Sequence, residues 1–251
     1  MLKVESVGPV TTLTLARHEV RNAINDELIA RLTDAVGHLA EGTRSVVIRG
    51  EGKAFCAGGD LEWMRRAAAF SEAENIQDAI RLANLFEAIA HSPAVVVAQV
   101  HGAAFGGGCG LVAACDVAVA AAGTLFAFSE ARLGLVPATI SPFVVSKVGH
   151  GHARALFTTG EAFDADRALR IGLVHEVVPI ESLETAVEQK VASVLRNGPD
   201  AVAASKSLAQ RAPLKKGEAA KLLARARASD EGREWVSAFL EKRDASFVVK
   251  R

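Results

Sequence analysis

An α/β fold with mostly parallel strand pairing is predicted for this chain by three observations. Short apolar, β-branched runs alternate with segments of helical periodicity through the first 178 residues. Two of these runs lead into glycine turns that open helices, one at Ala57–Asp60 and one at Gly106–Gly108. Beyond Val178 the pattern is helical only. The chain therefore divides into an α/β core over 1–178 and a helical region over 179–251. With 50% hydrophobic residues it can bury a substantial core.

In order, the first residues alternate as a strand does, and Val10–Leu15 reads as one. Arg17–Asn22 is a polar loop, and Asn25 is placed to cap a helix whose apolar face carries Leu28, Ile29, Leu32, Ala35, Val36 and Leu39. Ser45–Arg49 is a short buried strand closed by Gly50 and Gly52. Ser71 and Glu74 have the spacing of a capping box, opening a helix to about Ala90. Ala94–Val100 is a buried strand, followed by a break at His101-Gly102, the three glycines, and a helix over Cys109–Cys115. Strands are predicted at Asp116–Ala121, Leu125–Phe128 and Gly172–Val178. Between the last two, helices are predicted at Pro142–Val148 and Gly151–Thr158, with a third from a cap at Asp164 to Arg170. The tail offers helices at Leu183–Arg196, Pro199–Arg211, Gly217–Ala228 and Asp230–Arg243, the last two strongly amphipathic.

Composition excludes several classes of function. Lys+Arg and Asp+Glu are equal at 29 each, which argues against a nucleic-acid partner. No run approaches the roughly 18 apolar residues of a membrane span, and the N-terminus lacks the apolar core of a signal peptide, so a cytoplasmic protein is expected. Cys56, Cys109 and Cys115 sit in apolar surroundings without metal-ligand spacing to histidine, and read as buried reduced thiols.

The glycine turns admit three readings. A dinucleotide fingerprint fits Gly108–Ala113 only permissively, because seven residues separate Val100 from Gly108. Close helix–strand packing would account for either turn alone. Together, the Gly59 and Gly107 amides would make a two-donor pocket for a carbonyl oxygen that becomes an enolate. Glu130 would be the carboxylate beside it, Asp116 apart, and could move a proton at the adjacent carbon. Asp60 more often caps the helix it precedes, His101 reads as a structural histidine, and Cys109 as packing.

AFCAGGDL, VHGAAFGGGCGLVAACDVAVA and FAFSEARLGLVP together resemble the enoyl-CoA hydratase/isomerase (crotonase) superfamily. The resemblance covers essentially the whole chain, from RNAIN to EGREWVSAFLEKR. It implies a crotonase-like spiral of β-β-α repeats with a C-terminal helical trimerisation region, in a homotrimer or a dimer of trimers. It implies oxyanion-hole amides at Gly59 and Gly107, and Glu130 as the glutamate that exchanges the α-proton. CoA would lie along Ala57, Asp60 and Leu61, pass Asn22 and Ala23, and be covered by Phe239 and Lys242. No metal, flavin or nicotinamide is implied, and CoA enters as part of the substrate.

One departure matters. The first catalytic glutamate of the standard hydratases falls where this chain has Gly110. A two-carboxylate hydration is therefore replaced by one resting on Glu130 alone, by a Δ3/Δ2 enoyl-CoA isomerisation, or by acyl-CoA binding without turnover. FCAGGDLEWM and GLVPATISPFVV are similar to bacterial methylglutaconyl-CoA hydratases, which tilts the expectation to hydration of a short branched or glutaconyl-type substrate. Arg65, Arg66, Arg132 and Lys147 are candidate partners for a distal substrate carboxylate, against ordinary surface or CoA-phosphate roles.

Overall fold

In the computed structural model, which describes residues 1–211 and 213–250, the chain forms nine strands and ten α-helices. Ala212 and Arg251, both within the predicted helical region, lie outside the described residues. β1 (Leu2–Val7) and β2 (Val10–Leu15) make a hairpin across Gly8, whose φ of +56° suits glycine. α1 (Asp26–Gly37) follows, with the Asn25 side chain accepting the Leu28 N–H at 2.9 Å. Replacing Asn25 with alanine is expected to cost about 1 kcal/mol, read as a lower urea midpoint at unchanged slope.

β3 (Ser45–Gly50), α2 (Leu61–Ala67) and α3 (Glu72–His91) come next, and the Ser71–Glu74 capping box opens α3 as the spacing predicts. Then follow β4 (Val95–Val100), β5 (Ala103–Phe105), α4 (Gly107–Ala114), β6 (Val117–Ala121) and β7 (Leu125–Ala127). A 3-10 turn at Glu130–Leu133 leads to α5 (Ser141–Thr159), β8 (Ala162–Asp164), α6 (Ala165–Arg170) and β9 (Glu176–Val178). Helices α7 (Leu183–Leu195), α8 (Pro199–Ala209), α9 (Lys216–Ala228) and α10 (Asp230–Leu240) complete the chain.

The large sheet runs β1-β2-β3-β4-β6-β9, parallel except for the first pair. A smaller sheet, β5-β7-β8, stands beside it. Each turn of chain lays one strand in the large sheet, a short extended piece in the small layer, then a helix: β4–β5–α4, and β6–β7–α5. This is the β-β-α spiral. Both faces of the parallel sheet are covered, so β3, β4 and β6 are rich in Val, Ile and Ala on both sides. Val46, Ile48, Val96, Ala98, Ala118 and Ala120 face the main core with α1, α3, α4 and α5. The alternate residues Val47, Val95, Val97, Val119 and Ala121 meet Leu183, Val187 and Val191 of α7. The helical region after Val178 thus begins by completing the core.

Three differences from the sequence reading have local causes. β5 and β8 were not predicted, because each is only three residues long and is bracketed by glycines or a helix cap. The strand expected at Gly172–Val178 starts only at Glu176, since Gly172 has φ +82° and the Leu173 and Val174 N–H groups close onto the Ala168 carbonyl. The helices expected on either side of Gly149 join in α5, with Gly149 itself non-helical at φ +74°.

Candidate active site

The two glycine turns meet in the small layer. Cys56 and Ala104 form a parallel bridge, the Cys56 N–H bonding to the Ala103 carbonyl and the Phe105 N–H to the Cys56 carbonyl. Beyond that bridge the two segments leave the extended conformation, at Gly58 (φ +95°) and Gly106 (φ +47°), and Gly59 forms its own parallel bridge with Ile24. A Cβ on Gly58 would lie 3.0 Å from the Phe105 carbonyl oxygen, which measures how closely the backbones approach. Ile24 ties the pair from behind: its N–H bonds to the Gly58 carbonyl at 2.7 Å and its carbonyl accepts the Asp60 N–H at 2.8 Å. Its Cδ1 lies 2.9 Å from where a Gly107 Cβ would stand. The Gly59 and Gly107 N–H groups donate to no acceptor among the described residues. Gly107 opens α4, where the unpaired N–H groups and the helix dipole favour a partial negative charge. Two free donors, both packed around Ile24, are available to hold one oxygen.

Glu130 stands next to them. Its Oε1 is 3.2 Å from the position a Cβ on Gly106 would take, and Oε2 is buried without a hydrogen-bond partner among the described residues. Burial pushes its pKa above the ordinary carboxylate value. Gly106 holds φ +47°, ψ −115°, a backbone conformation that requires glycine, and a side chain there would also press on the Glu130 carboxylate.

The Gly110 position is already filled from outside. A Cβ there would meet Ile140 Cγ2 at 2.3 Å and Phe86 Cζ at 2.9 Å, and Phe86 is backed by Phe143 with ring centroids 6.0 Å apart. An apolar wall replaces the side chain that the first glutamate would supply. Neither Ile140 nor Phe86 was singled out from the sequence, because they lie 30 residues after and 24 before Gly110.

Asp60 caps α2, its Oδ1 accepting the Glu62 and Trp63 N–H groups, while Oδ2 pairs with Arg17 at 2.8 Å. Burial alone would raise its pKa, but the Trp63 N–H and the Arg17 guanidinium hold it below the usual value. Leu61 is 80% exposed at the start of α2, Ala57 is half-buried, and both flank the Gly59 turn.

Asn22, expected to line a channel for CoA, is instead fully buried. Its amide donates to the Glu51 and Ala54 carbonyls and its oxygen accepts the Arg17 N–H. A side chain so occupied orders the loop. Ala23 is buried beside it. Phe239 and Lys242 lie at the exposed end of α10, with Phe239 stacked on Trp235 at 5.3 Å, and no hydrogen bond or ion pair joins them to Ala57–Leu61 among the described residues.

The candidate cations sort clearly. Arg65 pairs with Glu62 and Arg66 with Asp26 at the surface. Lys147 donates to the Val112 carbonyl at the far end of α4, where burial lowers its pKa. Arg132 is exposed and has no ion pair among the described residues. His101 donates from Nε2 to the Gly52 carbonyl, a structural contact, and the Cys109 thiol donates to the Ala104 carbonyl. All three cysteines are free and buried, which pushes their thiols up. Among the described residues no group of three His, Cys, Asp or Glu is placed to hold a metal ion, and no helix is long and apolar enough to cross a membrane.

The family model of enoyl-CoA hydratase/isomerase matches residues 5–250. The chain is 32% identical to a crotonyl-CoA hydratase of Syntrophomonas wolfei, with 98% of this chain and 97% of that one covered. Among solved structures it is similar to AtuE of Pseudomonas aeruginosa, at a TM-score of 0.93 and 36% identity with 99% of each chain covered. An enoyl-CoA hydratase of Mycobacterium smegmatis gives a TM-score of 0.92 at 36% identity, again over 99% of both chains. The chain belongs to the enoyl-CoA hydratase/isomerase family and has the crotonase fold.

Proposed function

We propose that this protein is an enoyl-CoA hydratase acting on a short branched or glutaconyl-type enoyl-CoA through a single carboxylate. The observation that carries the reading is the buried, unpartnered oxygen of Glu130 beside two free backbone donors. The thioester oxygen binds the Gly59 and Gly107 amides, which draws electron density from the conjugated double bond. Glu130 takes a proton from water as the hydroxyl adds to the β-carbon, and returns it to the α-carbon of the enolate. The carboxylate ends as it began, so the step needs no metal or redox group, and CoA is carried in with the substrate.

CoA lies along Ala57, the Asp60 backbone and Leu61, with Phe239 and Lys242 supplied from the exposed end of α10. The apolar residues left open on that helix, Trp235, Val236, Phe239 and Leu240, support a homotrimer or a dimer of trimers. The short acyl group is supported by the crotonyl-CoA hydratase relative. The branched or glutaconyl end rests on the likeness of FCAGGDLEWM and GLVPATISPFVV to methylglutaconyl-CoA hydratases, with Arg132 as the unpaired cation in the turn that holds Glu130.

The Ile140–Phe86 wall favours a second reading. One carboxylate suffices for a 1,3-proton shift, and an apolar wall holds no water, so a Δ3/Δ2 enoyl-CoA isomerase would use the same residues. Incubation with 3-methylglutaconyl-CoA, crotonyl-CoA and a 3-enoyl-CoA separates the two by product mass. A gain of one water supports hydration, and conversion of only the 3-enoyl-CoA at constant mass assigns the isomerase. Tight binding without turnover on the whole panel leaves an acyl-CoA-binding protein.

Either reaction needs Glu130 ionised when the proton is first taken. The kcat/KM is therefore expected to fall with decreasing pH through a pKa above the ordinary 4.5. Linkage runs the other way. A carboxyl raised in the folded state adds stability below 4.5 that is lost as the pH climbs through the folded value. A pH–rate profile whose acid limb sits at or below 4.5 would contradict the assignment.

A further inference from the structure

We infer that Arg17 is a positioning residue for the Gly59 amide, acting through Asp60 and Ala23. The inference rests on the proposed role of that amide in binding the thioester oxygen. Arg17 and Asp60 form a buried ion pair, their side chains 12% and 8% exposed, directly behind the Gly59 turn. The guanidinium is used twice: Nη2 donates to Asp60 Oδ2 at 2.8 Å and Nη1 to the Ala23 carbonyl at 2.5 Å. Asp60 follows Gly59 in the chain, and Ala23 precedes Ile24, whose N–H and carbonyl bond to Gly58 and Asp60 on either side of it. One planar cation therefore holds both strands of the Ile24–Gly59 bridge at fixed separation.

The base of the same clamp is closed by Asn22, which bonds to Arg17 through both its backbone N–H and its side-chain oxygen. The Ala57 N–H bonds to the Arg21 carbonyl. Links from Arg17, Arg21, Asn22 and Ile24 thus reach the 54–60 segment at Ala54, Ala57, Gly58 and Asp60, and the Gly59 N–H lies among them without an acceptor among the described residues. Buried ion pairs contribute little net stability, because desolvation offsets their attraction. Bidentate geometry at the donor is a function that a pair of apolar residues would not supply.

The test uses Arg17→Met/Asp60→Asn, which removes both charges together and keeps an oxygen to cap α2. The probe is 4-(dimethylamino)cinnamoyl-CoA, whose push–pull chromophore absorbs further to the red when its thioester oxygen is hydrogen-bonded. The double variant is expected to bind the probe within about threefold of wild type but with a smaller red shift. Its kcat on the best enoyl-CoA of the panel falls about tenfold to a hundredfold, with KM little changed. Arg17→Lys keeps the charge opposite Asp60 without the second arm to Ala23, and is expected to fall between the two. If the double variant does not fold, Arg17→Lys decides alone. A full red shift and full kcat in the folded double variant, or in Arg17→Lys, overturns the inference. A wild type that shifts the probe yet turns over no enoyl-CoA removes the hydratase reading and leaves the positioning claim to the spectra. A wild type with no shift overturns both.

Discussion

Glu130→Gln is expected to lose about 10³-fold in turnover of whichever enoyl-CoA the wild type converts, while staying folded. The substitution keeps the shape of the side chain and removes only its basicity. Nothing nearby can take over. Asp60 is spent on a cap and an ion pair, Asp116 pairs with Lys206 at 2.7 Å, and Gly110 offers no side chain. The Cys109 thiol, close by, is held protonated by burial. The carboxylate also works against stability, since its Oε2 is desolvated and unpartnered. The thermal midpoint of the Gln variant at neutral pH is therefore expected to match or exceed that of wild type, which separates lost chemistry from lost fold. Wild-type rates in Glu130→Gln on every active substrate would show that another group moves the proton.

Gly110→Glu, the substitution that restores the second carboxylate on paper, is expected to lower stability by about 4 kcal/mol or more and to create no two-carboxylate site. Its Cβ alone would overlap Ile140 and Phe86, an overpacking that typically costs about 1–3 kcal/mol. The carboxylate would then sit unpartnered against that wall, which costs several kcal/mol further or leaves it protonated. Equilibrium unfolding in urea reads the loss, with Gly110→Ala as the smaller step of about 1–3 kcal/mol. The coupling with Ile140 is the sharper measurement. Ile140→Ala costs about 2–5 kcal/mol in wild type by opening a cavity, but recovers part of the loss when Gly110 is Glu. A Gly110→Glu variant as stable as wild type would mean that Ile140 and Phe86 move aside freely.

What the sequence made legible were features carried by short spacings. Asn25 and the Ser71–Glu74 box mark their helix starts because a cap acts over three residues. Glu130 could be picked out because few carboxylates follow the glycine turn, and the valine-rich runs give the parallel strands. What stayed hidden depends on partners distant in sequence. β5 is a strand only because the 56 and 125–127 segments lie on either side of it. Arg17 looks like any loop arginine until Asp60, 43 residues later, folds against it. The wall at Gly110 is built by residues from α3 and from the entry to α5, so a glycine that reads as a missing acid is, in the folded chain, a site without room for one.

The Cys56–Ala104 bridge has a consequence for how such a protein can diverge. The two donors are main-chain groups, so their direction is set by the backbone that joins each of them to the bridge. Each arm carries one glycine at positive φ, Gly58 at +95° and Gly106 at +47°, and that residue sets the direction of the N–H that follows it. A single inserted or deleted residue between Cys56 and Gly59, or between Ala104 and Gly107, would turn one N–H away from its partner. These two arms are locked in length, and new specificities on this scaffold must come from exchanging the side chains around them.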